Sequence, residues 1–305
     1  MQTFRTLAHA AILLTAAAIA LAPLRSLAKA PPRVLADIAP VHSLAAQVMA
    51  GTGRPDLLLG RGADPHHFQL RPSQARAIKS ADLIFMIGPE LTPWLDEVLR
   101  RLGAGERAVP LLHTQGTLLL KAGEGERAGP DPHAWLDPRN AGVWVDHMAQ
   151  RLARADPERR AAYAANAAAA KTRLAELESA VSARLEALGD TPVIVQHQGY
   201  AYFARRFSVN IVAAISDSEA RPPGARHMRS LREMIESGEV ACVFAEEGHD
   251  PGLAESLTAG TDAALLSLPD PAGSAIPPGP DHYEALLLAL ADAFAACAGA
   301  AQEPE

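Results

Sequence analysis

Positive charge is in short supply. The sequence has 28 Lys and Arg against 35 Asp and Glu, a formal charge of −7. Nucleic-acid binding needs a basic face to neutralise phosphates, so it is not expected. Aromatic residues make up only 5% while alanine is abundant, a balance that favours helices. There is no His-Glu-x-x-His run and no nucleophile elbow, so neither short hydrolase signature is present. No short-period repeat is visible. Cysteine is limited to Cys242 and Cys297. Neither follows the N-terminal apolar stretch, which excludes lipid attachment there.

That stretch, Ala10 to Leu21, is uncharged and preceded by Arg5. A dozen or so apolar residues are too few to span a membrane and suit a signal peptide. Ser26-Leu27-Ala28 offers small residues for cleavage; Ala28-Lys29-Ala30 offers a second site, disfavoured by Pro31. Residues 1–28 are therefore expected to be a signal peptide, with a retained anchor as the alternative, and the mature chain to be exported and not lipid-anchored. Cleavage at Ala28 removes two of the 28 basic residues and no acid, taking −7 to −9. In an exported protein an even pair of cysteines reads as a disulfide; two buried free thiols are the alternative. Cys242 lies in an apolar run, and Cys297 near the end of a C-terminal helix.

The 305 residues suffice for two domains, and with 49% hydrophobic residues a real core can be buried. Strand-like runs at Val34–Ile38, Asp56–Leu59, Leu83–Ile87 and Val109–Leu112 alternate with helical stretches at Val41–Ala50, Pro72–Lys79 and Thr92–Leu102. This β-α-β-α pattern predicts a parallel sheet flanked by helices. The glycine-rich residues 113–130 read as a surface loop. A helix is predicted from Pro138 to Arg154. A second starts with Asp156 as N-cap and Pro157 at its first position, and runs to about Leu188. More than thirty residues fit either a coiled-coil arm or a spine. A spine is favoured, because a second β-α series begins at once: strands at Val193–Val195, Val209–Ala213, Val240–Ala245 and Ala264–Leu268, with helices at Tyr200–Phe207, Ala225–Ser237, Pro251–Ala259 and Asp281–Ala296. The expected fold is α/β. An N-terminal lobe (29–137) and a similar C-terminal lobe (190–305) are joined by a helical linker (138–189) containing the spine. Ligands are expected in the crevice outside the carboxyl ends of the strands.

Most of the eleven histidines have plain roles. His42 and His282 start helices; His147 and His227 sit inside them. Three others share a setting, just past a strand or where the chain leaves a lobe: His66, His133 and His197. Asp270, after the last strand, could add a carboxylate. Three imidazoles and a carboxylate have the chemistry of a four-ligand zinc set, here drawn from dispersed segments rather than one tight motif. Glu246, Glu247, His249 and Asp250 form another polar cluster, read as a helix cap or an auxiliary contact.

The run from Leu57 to Ser73, centred on Gly62-Ala63-Asp64-Pro65-His66-His67, resembles the first ligand segment of the zinc- and manganese-binding receptors of ABC importers. Ala81-Asp82-Leu83-Ile84 and Gly88-Pro89-Glu90 are also similar to that family. Asp131-Pro132-His133-Ala134-Trp135-Leu136-Asp137-Pro138 resembles its second ligand segment, and Gln196-His197-Gln198-Gly199-Tyr200-Ala201-Tyr202-Phe203 its third. Cys242-Val243-Phe244-Ala245-Glu246 and Leu268-Pro269-Asp270-Pro271 resemble further blocks, so the likeness covers the mature chain in order. It implies His66, His133 and His197 as metal ligands, with Asp270 as a fourth or the neighbour of a site-bound water. It also implies that Cys242 pairs with Cys297. The choice of His66 over His67 rests on that alignment alone. Manganese receptors of the family carry a carboxylate at the position of His197, and three neutral imidazoles suit zinc better. Gln198 stands where the family commonly has Asp, so the partner of the third imidazole is expected to differ. The loop at 113–130 holds only His113, so no secondary metal-gathering site is expected there.

The expected function is therefore high-affinity periplasmic capture of Zn(II) as cargo, with no catalytic residue. The resemblance implies an ABC importer permease in the inner membrane as partner; a periplasmic zinc chaperone is a further candidate. A monomer is expected. Affinity should fall below roughly pH 6, where imidazoles protonate. One alternative is a secreted zinc-dependent hydrolase, which would need an open coordination position and Glu246 or Glu247 as base. A manganese-binding receptor or adhesin-like protein is another.

Overall fold

The computed structural model describes residues 30–63, 65–66, 68–122, 129–216 and 223–300. The expected signal peptide at 1–28 and His67 lie outside them.

The first lobe alternates strand and helix. Strands β1 (Val34–Ala36), β2 (Asp56–Leu57), β3 (Leu83–Met86) and β4 (Ala108–Pro110) are interleaved with helices α1 (Ala39–Val48), α2 (Pro72–Ser80) and α3 (Pro93–Arg101). Proline occupies the first turn of all three helices, where its missing N–H costs nothing. The strands form one parallel sheet in the order β2-β1-β3-β4. β1 and β3 are buried throughout, as parallel strands covered on both faces should be. The expected loop at 113–130 contains a short antiparallel pair, β5 (Lys121–Ala122) with β6 (Gly129–Pro130).

Helix α4 (Pro138–Ala155) is capped by Asp137, whose carboxylate accepts from the Arg139 N–H at 2.9 Å. A 3-10 turn over Pro157–Arg159 leads into α5 (Arg160–Leu185). At 26 residues α5 is about 39 Å long. The expected single helix from Pro157 is thus a 3-10 turn and a shorter α-helix, tied at the bend by Arg159 and Tyr163 on Asp156 (2.7 and 2.9 Å).

The second lobe contains β7 (Val193–His197), α6 (Ala201–Phe207), β8 (Ile211–Ser216), α7 (Ala225–Glu236), β9 (Cys242–Glu246), α8 (Gly252–Thr258), β10 (Ala264–Leu268) and α9 (His282–Ala300). Its sheet is parallel in the order β10-β9-β7-β8. Taken from the second strand of each lobe, the two orders are the same, so the lobes share a topology without an evident sequence repeat. Each sheet changes direction between its first and third strands, the point where open α/β sheets bind ligands. One continuous core runs from Val34 in β1 through Leu174 and Val181 of α5 to Phe294 of α9. The lobes are therefore packed on a shared spine. Cys242 and Cys297 form a disulfide joining the start of β9 to α9.

At the first lobe's switch point Asp37 is fully buried. Its carboxylate accepts from Ile38 N–H and Ile87 N–H, both at 2.8 Å. Burial pushes its pKa up to about 7, against the pull of those two donors. A raised carboxylate pKa stabilises the fold when protonated, and that contribution is lost as pH climbs from about 4 through about 7. The loss amounts to at most roughly 4 kcal/mol. Melting curves of metal-free protein between pH 4.5 and 8 should fall more steeply for wild type than for Asp37→Asn. Parallel curves would contradict this.

Candidate metal centre

β7 and β9 lie side by side, with Val193 opposite Cys242 and Ile194 opposite Val243. Continued to the carboxyl edge, this register sets His197, the last residue of β7, beside Glu246, the last residue of β9. The Nδ1 of His197 and Oε2 of Glu246 are 2.6 Å apart, with both side chains almost wholly buried. The other Glu246 oxygen faces Nδ1 of His249 at 3.6 Å. His133 is held in a similar way. Asp131 Oδ1 accepts from the His133 backbone N–H at 2.9 Å and lies 2.8 Å from its Nδ1. A carboxylate at Nδ1 fixes the proton there and places the ring's lone pair on Nε2, the tautomer a metal requires.

The rings approach one another. The His133 centroid is 5.6 Å from that of His197 and 5.8 Å from that of His66. Three imidazoles at tetrahedral angles around zinc, with Zn–N near 2.0–2.1 Å, would have centroids about 5.2 Å apart. The cluster is a few tenths of an ångström wider. Among the described residues no three His, Cys, Asp or Glu side chains already stand at coordinating distance from one point.

Asp270 lies in the turn after β10. Its Oδ1 accepts from Ala272 N–H at 3.0 Å, and its Oδ2 from the N–H and hydroxyl of Ser274 at 2.6 and 2.7 Å. Both oxygens thus serve its own turn, and the remaining lone pairs define its capacity as a ligand. The turn borders the imidazoles through Pro271. A Cβ on Gly199 would overlap the His197 ring and lie 2.9 Å from Cγ of Pro271, so glycine is needed two residues after His197. Trp135, whose ring centroid is 5.2 Å from that of His133, donates Nε1–H to the Pro271 carbonyl at 2.7 Å. Tyr200 donates to the Pro269 carbonyl at 2.8 Å.

Further bonds anchor each histidine segment. Trp94 Nε1–H binds the Pro65 carbonyl at 2.8 Å. Tyr202, its phenol pushed up to about 12 by burial, donates to the Asp131 carbonyl at 2.9 Å. Arg206 forms a two-pronged pair with Asp137 at 2.8 and 2.7 Å. The predicted His66, His133 and His197 thus come together, with Asp270 in the adjoining turn. Asp131 as an imidazole partner was not foreseen, although Asp-x-His is a visible short spacing. Glu246 answers the departure at Gln198: the partner of the third imidazole comes from the neighbouring strand.

Two parallel sheets of one topology, a helical spine and imidazoles between the lobes define the class of two-lobed metal-binding receptors. The family described as "ZnuA: Zinc-uptake complex component A periplasmic" matches residues 34–297. The high-affinity zinc uptake system protein ZnuA of Paracoccus denitrificans is 34% identical over 94% of this chain and 98% of its own length. The ZnuA of Brucella abortus is 32% identical, covering 87% of this chain and 91% of its own. A crystal structure of a ZnuA deletion mutant with zinc bound superposes with a TM-score of 0.74 at 26% identity, covering 87% of this chain and 97% of that one. The manganese complex of FpvC from Pseudomonas aeruginosa has a TM-score of 0.78 at 20% identity, covering 89% and 99%, and shares the fold. The chain belongs to the ZnuA family of periplasmic zinc-uptake components. Its role is capture of zinc in the periplasm for uptake, and it is a transport component rather than an enzyme.

Proposed function

We propose that His66, His133, His197 and Asp270 hold the zinc cargo between lobes spanning 29–137 and 190–305, with the linker 138–189 as their common support. The observation that carries this reading is the convergence of three imidazoles from three separate segments, two with a buried carboxylate at Nδ1. Such carboxylate–histidine pairs orient the ring and raise the basicity of the ligating nitrogen. A set of three nitrogens and one oxygen suits zinc, whereas manganese favours more oxygen. The lobes share a core, so capture needs only small movements of the ligand-bearing segments. The mature chain, exported by a signal peptide cleaved after Ala28 and carrying no lipid, is a monomer that hands zinc to the permease of an ABC importer.

Metal titration of the mature protein tests the assignment. One zinc per chain should bind tightly, and a hundredfold excess of manganese should not displace it. Preferential manganese binding would contradict the proposed ligand set.

A further inference from the structure

Arg61 lies five residues before His66, in the segment leading from β2, and its guanidinium crosses to the second lobe. Its Nη2 donates to the Ala275 carbonyl at 2.9 Å, and its Nε reaches the Ser274 carbonyl at 3.4 Å. Ser274 is the residue whose N–H and hydroxyl both grip Oδ2 of Asp270. One hydrogen-bonded path thus runs from the His66 segment through Arg61 and Ser274 to Asp270. The apolar sides of the seam, Leu57, Leu59 and Ala63 against Ala272, Ile276 and Pro278, enclose a cavity of about 20 Å3, room for a single water. Farther along the same loop, Ser43 and Gln47 of α1 donate to the Pro280 carbonyl at 2.7 and 2.8 Å. The segment bearing Asp270 is therefore held from the first lobe at two places, and Arg61 makes the hold nearer the metal centre.

We infer that Arg61 is a positioning residue, a latch between the His66 segment and the Asp270 turn that sets the spacing of two proposed ligands. The inference rests on the ligand assignment above. Both Asp270 oxygens are engaged by the turn, so the carboxylate moves only as the turn moves. The turn is in contact with the first lobe through the Arg61 fork, whose donors reach two successive carbonyls. A lysine, with a single flexible ammonium, could not reproduce that fork. The imidazole centroids are slightly wider than zinc requires, and closing them draws these same segments together. A ligand left out of place by a fraction of an ångström binds less well.

The test is a double-mutant cycle on the full mature chain, with zinc affinity read by chelator competition. Arg61→Ala should weaken zinc binding about 10-fold with the metal-free melting temperature nearly unchanged, because the side chain is exposed. Asp270→Ala should weaken it by more. In the Asp270→Ala background, Arg61→Ala should change affinity by less than about twofold, because its route to the metal is gone. Unchanged affinity in Arg61→Ala, or a full effect that persists without the Asp270 carboxylate, overturns the latch. Unchanged affinity in Asp270→Ala alone overturns the ligand assignment for that residue, and the latch with it.

Discussion

Replacing His197 by alanine is expected to weaken zinc binding by roughly 100-fold or more, because one of the four proposed ligands is lost and only a water can take its place. The substitution also removes the hydrogen bond to Glu246 Oε2, leaving only His249 beside the other oxygen at 3.6 Å. That carboxylate is 3% exposed, and a buried charge without its hydrogen bond is costly, so the metal-free variant should melt below wild type. Binding is therefore compared at a temperature where both are folded. Glu246→Gln separates the two effects. It keeps an oxygen for the Nδ1–H but removes the charge, and an outer partner of this kind is worth about 10–100-fold in metal affinity. The expected order is wild type, then Glu246→Gln, then His197→Ala. Zinc binding indifferent to His197→Ala would remove the third imidazole from the site.

The disulfide should act on stability with little effect on affinity. Cys242 and Cys297 are 55 residues apart, and closing a loop of that length restricts the unfolded chain by about 4 kcal/mol in the chain-entropy model. For a mature chain of this size the corresponding loss of melting temperature is roughly 5–10 °C. Cys242 opens β9 and Glu246 closes it, so the bridge stands at the opposite edge of the sheet from the histidines. Cys242→Ser/Cys297→Ser should melt lower by that amount and, well below its transition, bind zinc within about threefold of wild type. A large loss of affinity in fully folded variant would show that the staple reaches the site through β9.

The parallel-sheet lobes and the spine were legible because buried strands read as apolar runs between helical stretches. β10 falls on the expected residues 264–268. β8 begins two residues later than expected: Ser208 adopts a left-handed conformation (φ 58°) and Val209 N–H returns to the Ala204 carbonyl, so buried Val209 belongs to the helix end. The pair β5–β6 was hidden because two-residue strands have no periodicity to show. His66 and His197 were marked out by their places after expected strands, His133 by its place where the chain leaves the first lobe, and all three by the family resemblance; His197 proves to be the last residue of β7 itself. Glu246 was not recognised as the partner of His197. The two are 49 residues apart in sequence and meet only because β9, rather than β8 alone, pairs with β7. A crossover of that kind leaves no local signal.

The most direct measurement is zinc-edge X-ray absorption on the mature protein loaded with one zinc per chain. Three imidazole nitrogens near 2.0–2.1 Å and one carboxylate oxygen are expected, with one imidazole lost in each of His66→Ala, His133→Ala and His197→Ala. A shell with fewer than three imidazoles, or one that none of these substitutions alters, would contradict the account.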